Sequence, residues 1–289
     1  MNTRRTVFAL GAAAGAAYLL LRQRPRRSRR PSRSDSRSAT ALITGASSGI
    51  GATFAQKLAA DGYALVLVAR RADRLELLAA ELRQRHAIPV ETISADLTVA
   101  DDVERVAGRL AELPDLDLLV NNAGFGVEGR FAQADLDPQL EMIRLHVLAS
   151  VRLTHAALPG MIARGRGGVI NVASLAGFMA LPGAAQYCAT KGYLITFSRA
   201  LALELRGAGV RVQALCPGLT HTEFHASQRG GSTGQMPEFM WMSSDAVVEA
   251  SLRGLAAGQV ICIPGWGNRI LKLLGSSPLV DLAAPLLLR

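Results

Sequence analysis

Residues 40–51, TALITGASSGIG, decide the fold of this 289-residue chain. Ala41, Leu42 and Ile43 make a short apolar strand. Gly45, Gly49 and Gly51 follow it, and Ile50 opens an apolar helical spacing through Phe54, Ala55, Leu58 and Ala59. Glycines between a strand and a helix permit a tight turn, let the backbone approach a pyrophosphate, and let the helix pack close to the strand. The helix N-terminus then presents free N–H groups and a partial positive charge. Taken alone, the stretch also fits a glycine-rich turn in any α/β protein. The residues around it have to decide.

Working outward, apolar runs recur at Leu65–Ala69, Val90–Ser94, Leu116–Asn121, Val169–Ala173, Val210–Cys216 and Val260–Ile263. Helical spacings at about 73–86, 99–113, 138–164, 184–208 and 243–257 separate them. Short apolar strands alternating with helices predict a parallel sheet covered on both faces, with right-handed crossovers. There is no internal repeat, and residues 39–265 read as one domain.

The polar chemistry lies at the strand ends, where an open α/β sheet binds its ligands. The second strand ends at Arg70 and Arg71. An acid there would suit a ribose 2′-hydroxyl, whereas two arginines suit a 2′-phosphate and predict NADP over NAD. They also fit a solvated pair opening the next helix. Asp96 and Leu97 follow the third strand, placed to meet adenine, and Asn121-Asn122-Ala123-Gly124 ends the fourth. The fifth strand runs into Ser174, followed at a distance by Tyr187 and Lys191. Tyr and Lys four apart share a helical face. A neighbouring ammonium lowers a phenol's pKa, so Tyr187 is expected to exchange a proton near neutral pH while the Ser174 hydroxyl holds the same substrate oxygen. By themselves these three residues fit a structural pair and a turn serine equally well.

Together the motifs are specific. TGASSGIG at 44–51, DL at 96–97, NNAG at 121–124, Ser174 with Tyr187-x-x-x-Lys191, and PGLTHT at 217–222 resemble the short-chain dehydrogenase/reductase family in order and spacing over about residues 39–265. The resemblance implies an α/β, three-layer Rossmann-type fold with a seven-stranded parallel sheet flanked by helices. It implies that NADPH or NADP+ lies along Gly45, Ser47, Ser48, Gly49, Ile50, Gly51, Arg70, Arg71, Asp96, Leu97, Asn121, Ala123 and Gly124. Pro217, Gly218, Thr220 and Thr222 would lie along the nicotinamide. Tyr187 would be the general acid/base, Ser174 the group orienting substrate, and Lys191 the residue that binds the nicotinamide ribose and tunes Tyr187. The helices at 138–164 and 184–208 would form a dimer interface. One position departs from the pattern: where the family carries an asparagine that holds a relay water, this chain has His146. A histidine also bonds water, so His146 is expected either to keep the relay or to fill a helix face.

Composition bounds the rest. Hydrophobic residues make up 49 %, enough for a large core, and aromatics only 5 %, so that core is aliphatic. Cys188, Cys216 and Cys262 show neither metal-ligand spacing nor even pairing, which points to a reducing compartment and to no metal. Residues 1–40 hold ten of the 32 basic residues and one of the 23 acids, Asp35; the remaining 22 of each balance, and the formal +9 belongs to the tail. A neutral body excludes a nucleic-acid surface. Residues 1–38 read as an apolar run, Thr6–Leu21, followed by an Arg/Ser/Pro linker too polar to build a core. The 16-residue run would span about 24 Å as a helix, slightly short of a bilayer core of ~30 Å, and flanking arginines can close the gap. A membrane anchor is expected; a cleaved export signal or a surface-lying helix are the alternatives. The arginine excess after the run puts the catalytic body on the cytoplasmic side.

The expected pocket lining is apolar, with Phe125, Phe178, Met179, Leu181, Phe224, Met236, Phe239, Met240 and Trp241 suiting a hydrophobic ketone, aldehyde or alcohol. Residues 226–235 read as a glycine-rich lid, and 266–289 as an apolar C-terminal extension. The sequence therefore predicts a membrane-tethered, NADPH-dependent carbonyl reductase. The alternative is a catalytically weak NADP-binding sensor or scaffold.

Overall fold

In the computed structural model, the described residues are 39–226 and 237–275. Seven parallel strands form one sheet: β1 (Thr40–Thr44), β2 (Ala64–Ala69), β3 (Val90–Ser94), β4 (Leu116–Asn121), β5 (Gly167–Val172), β6 (Val210–Leu215) and β7 (Ile261–Cys262), in the order β3-β2-β1-β4-β5-β6-β7. All six residues of β2 are buried, as a parallel strand covered on both faces requires. Eight helices of eight residues or more accompany the sheet among the described residues: α1 (Gly49–Ala60), α2 (Ala72–His86), α3 (Ala100–Glu112), α4 (Leu136–Ile143), α5 (Ser150–Arg164), α6 (Ala185–Glu204), α7 (Ser244–Ala256) and α8 (Trp266–Gly275).

The helices divide between the two faces. On one, Phe54 and Leu58 of α1, Leu75 and Leu82 of α2, and Val247 and Val248 of α7 pack on Ile43, Leu67 and Val120. On the other, Val106 and Leu110 of α3, Leu153 and Met161 of α5, and Leu201 of α6 pack on Leu42, Val66, Leu119 and Val212. Alternate residues of β1 and β4 thus feed opposite cores, giving the three layers the sequence predicts. β1 pairs with both β2 and β4, so the chain reverses its winding direction there. The crevice of such a sheet opens outside the carboxyl ends of these two strands.

The long helix expected over 138–164 is instead three pieces. α4 and α5 are joined by a π-helical stretch, Arg144–Ala149. An extra residue per turn re-aims side chains without disturbing the apolar spacing on either side, so periodicity cannot reveal it. Here it carries the buried His146. The helix expected to reach 208 ends at Glu204, and the following turn uses Gly207 and Gly209 at φ 84° and 75°. α8, from the expected extension, returns to the core: Leu271 packs near Leu194 and Ile263, and the Asn268 amide donates to Pro264 O at 2.8 Å. No helix among the described residues is long and apolar enough to cross a membrane. The expected anchor and linker, the lid at 227–235 with Met236, and residues 276–289 lie outside the described residues.

Candidate active site

The glycine turn is built by two residues from outside it. The Thr44 hydroxyl accepts the N–H groups of Asn122 (2.9 Å) and Ala123 (3.0 Å), and the Asn122 amide donates to Thr44 O (2.9 Å) and Gly45 O (3.2 Å). The ends of β1 and β4 are thereby locked together. Gly45 and Gly49 take φ of 66° and 56°, which side chains rarely adopt. A Cβ on Gly51 would stand 2.3 Å from Gly45 O, and one on Gly49 3.0 Å from Thr222 Cβ. The PGLTHT segment therefore lies across the turn. Ser48 caps α1 in an extended conformation without a side-chain cap, and the first turn holds no acid, so the helix end keeps its N–H groups and positive dipole.

Asn121, expected at the cofactor, faces elsewhere. It is buried, and its amide donates to Asn171 Oδ1 (2.8 Å) and Thr154 Oγ1 (3.0 Å) beneath the sheet. Asn121 closes β4 with its side chain in the core, whereas Asn122 follows the strand and turns to Thr44 and Gly45. Asn122 and Thr44 are the members of the site that sequence reasoning passed over; the doubled asparagine was the available signal. Leu97 is buried in the core beside α3. Asp96 accepts the Thr98 N–H (3.0 Å) and hydroxyl (2.7 Å). Burial pulls its pKa up, but the bonds from Thr98 and the charge of Arg70 outweigh this and leave it below the ordinary carboxylate value.

At the other end of the crevice, Ser174, Tyr187, Lys191 and His146 converge as expected. Ser174 follows β5; its hydroxyl accepts the Ala176 N–H at 3.2 Å and lies near enough to the Tyr187 phenol to favour the phenolate. Lys191 donates to Val172 O at 2.9 Å and lies 5.7 Å from the centre of the Tyr187 ring. The expectation of a lowered phenol pKa is not met. Withdrawal from water pushes the phenol up to about 12, against the pull of Ser174, and drops the Lys191 ammonium to about 8. Desolvation disfavours the charged form of each group and is the largest cause of both shifts.

His146 completes the cluster, its ring 6.0 Å from that of Tyr187 and nearly perpendicular to it. Nε2 accepts the Phe125 N–H at 3.2 Å, so in the neutral ring the proton sits on Nδ1. Nδ1 then donates to Thr190 Oγ1 at 3.0 Å, and that hydroxyl donates to Tyr187 O at 2.9 Å. Both ring nitrogens are thus taken by protein atoms, which leaves the ring no acceptor for a relay water. Burial and then the Lys191 charge hold its pKa well below the ordinary histidine value. Gly124 makes the room: a Cβ there would stand 2.8 Å from His146 Nε2.

The end of the crevice beside the glycine turn is cationic, and there Arg70 and Arg71 take different partners. Arg71 reaches over the glycine turn, donating to Ser47 Oγ (3.2 and 3.1 Å) and Ser48 Oγ (2.8 Å). Arg70 turns to Asp96, 3.6 Å away. Two unexpected side chains join: Glu223 meets Arg71 at 3.1 Å and Arg74 at 2.7 Å. On the substrate side, Phe224 lies 6.1 Å from the Tyr187 ring and Phe125 6.1 Å from that of His146. Phe178 and Met179 pack instead toward Leu271 of α8, and Trp241 stacks on His221 at 5.0 Å. Among the described residues, no group of three His, Cys, Asp or Glu is placed to hold a metal.

This geometry matches known proteins. The family model for short chain dehydrogenases matches residues 39–232. An uncharacterized oxidoreductase of Myxococcus xanthus is 36 % identical over 250 residues, 85 % of this chain and 96 % of the relative. A short-chain dehydrogenase from Sphingobium yanoikuyae, solved in complex with NADPH, superimposes with a TM-score of 0.76 at 39 % identity, covering 82 % of this chain and 93 % of the other. The bulky-bulky ketone specific alcohol dehydrogenase from Comamonas testosteroni does so with a TM-score of 0.72 at 35 % identity, covering 86 % and 93 %.

Proposed function

The chain belongs to the short-chain dehydrogenase family, and from that premise we propose that it uses NADP(H) to interconvert a hydrophobic ketone or aldehyde and its alcohol. The observation that carries this reading is the placement of Ser174 at the end of β5, where Lys191 is bonded, with Lys191 5.7 Å from the Tyr187 ring, in a crevice whose other end is a glycine turn under a guanidinium. The donor set suits the cofactor. The bare N-terminus of α1 and the Ser47 and Ser48 hydroxyls fit the pyrophosphate, and Arg71 fits a 2′-phosphate by charge-assisted bonds. The NADPH complex of the Sphingobium relative supports the same choice.

The bound nicotinamide supplies or accepts the hydride at the substrate carbon. The chain's own residues handle the oxygen. Ser174 orients it through its hydroxyl. Tyr187, holding its proton through neutral pH, donates that proton as the alkoxide forms and withdraws it in the reverse direction. Lys191 anchors the floor of the site to β5 and places a cationic group beside the phenol. His146 acts as a positioning residue: it ties the Phe125 backbone to the turn of α6 that bears Tyr187. Phe125 and Phe224 give an apolar wall, and the bulky ketones named for the Comamonas relative support a substrate of that kind.

The apolar run at 6–21 and the arginines after it support a tether with the catalytic body on the cytoplasmic side. Exposed Leu140, Leu148, Tyr193 and Leu203 support pairing of two copies through α4–α6. Steady-state oxidation of NADPH and NADH with a panel of bulky ketones and aldehydes tests the reading. Turnover with NADPH is expected, and Arg71→Ala is expected to weaken NADPH by about 1.5–3 kcal/mol and NADH little. NADPH binding without oxidation across the panel would favour the sensor instead.

A further inference from the structure

Glu223 sits where no charged ligand of the chain's own was expected. Its carboxylate oxygens lie 2.7 and 2.8 Å from Arg74 Nη1, and one of them 3.1 Å from Arg71 Nη1. The remaining nitrogens of Arg71 are on Ser47 and Ser48 of the glycine turn. Glu223 is 149 and 152 residues distant from these arginines in sequence, so the fold and not a local helical spacing brings the three together.

Guanidinium forks accept carboxylates and phosphates in the same geometry, and two anions cannot share one fork without strong repulsion. The side chains of Arg71, Arg74 and Glu223 are 41 %, 44 % and 54 % exposed, so the carboxylate has room to swing into water. Arg70 is 69 % exposed and engaged with Asp96, which leaves Arg71 and Arg74 as the paired cations. The bonds from Arg74, then Arg71, hold the Glu223 carboxyl below its ordinary value and keep it charged at neutral pH.

We propose that Glu223 is a selectivity-tuning residue: its carboxylate stands in the Arg71–Arg74 seat as an internal substitute for the cofactor's 2′-phosphate, and the phosphate must displace it to bind. The inference rests on the NADP(H) reading above. It makes Arg74 a second cation of the phosphate seat. It also makes release of NADP+ faster than the two guanidiniums alone would allow, because the carboxylate returns to the seat as the phosphate leaves. An AMP moiety without the 2′-phosphate has no reason to disturb it.

The test uses the full chain at low ionic strength, where exposed ion pairs are least screened. Calorimetric titrations with adenosine 2′,5′-bisphosphate and with AMP compare wild type, Glu223→Gln and Arg71→Ala, and stopped flow follows NADP+ dissociation. Glu223→Gln is expected to bind the bisphosphate about ten-fold tighter, with AMP unmoved and NADP+ release slower by a similar factor. Unchanged or weaker bisphosphate binding in Glu223→Gln would overturn the proposal and make Glu223 a buttress for the arginines. If wild type binds the bisphosphate no better than AMP and Arg71→Ala moves neither, the NADP reading of this corner falls as well.

Discussion

At the residue scale, buried titratable groups set the pH behaviour. Unfolded Lys191 titrates at 10.5 and folded Lys191 at about 8. Between those values the unfolded state holds a proton the folded state lacks, so Lys191 adds stability as pH rises from 8 toward 10.5, while Cys216, pushed by burial from 9 up to about 12, removes stability above pH 9. Lys191→Met is expected to lose the gain between pH 8 and 9 in chemical denaturation, below the range where Cys216 opposes it; an unchanged slope there would place the ammonium in water. His146 works on the acid side. Its folded pKa lies well below 6.5, so stability is lost as pH falls through 6.5, where only the unfolded ring takes a proton. His146→Asn is expected to flatten that limb. His146→Leu strands the Phe125 N–H and the Thr190 contact, and is expected to cost about 1–3 kcal/mol and to lower turnover with little effect on NADPH affinity. The catalytic trio was legible because its spacing is local to one strand end and one helix. The direction of the Tyr187 shift was not, since sequence spacing reports the neighbouring ammonium and not the loss of water.

At the element scale, β1, the glycine turn and α1 form the part of the fold that the sequence states most fully. The strand residues and the turn glycines lie within twelve consecutive residues, and the apolar face of α1 reads directly as Phe54, Leu58 and their neighbours. Gly51→Ala drives a Cβ to within 2.3 Å of Gly45 O and is expected to cost about 1–3 kcal/mol and to weaken cofactor binding together with stability. Phe54→Ala empties a fully buried ring site and is expected to cost about 3–5 kcal/mol, read from the denaturation midpoint, while the turn keeps its shape. Comparable cofactor loss in both variants would mean that the turn's own geometry matters less than helix packing. The elements the sequence misjudged are those whose cause is non-local. The π stretch at Arg144–Ala149 interrupts a helix without altering its apolar pattern, and the Thr44–Asn122 clamp joins residues 78 positions apart. Arg70 and Arg71 look equivalent in the sequence; only the position of Asp96, Ser47 and Glu223 assigns them different tasks.

At the scale of the whole molecule, the charge division of the chain makes a simple statement. The body is electrically balanced, and the excess of nine positive charges, ten arginines against Asp35, lies in residues 1–40. A chain beginning at Ser38 is therefore expected to be soluble with unaltered NADPH affinity, while the full chain sediments with membranes and resists a high-salt wash. Release by salt would replace the tether with electrostatic surface attachment. The central claim is that Tyr187 delivers a proton to a carbonyl oxygen as NADP(H) is consumed. Single-turnover NADPH oxidation by a bulky ketone, measured in wild type and Tyr187→Phe beside NADPH affinity in both, tests it most directly. The phenol's loss is expected to slow oxidation by about 10²–10⁴-fold with NADPH affinity unchanged. Near-normal oxidation by Tyr187→Phe would contradict it.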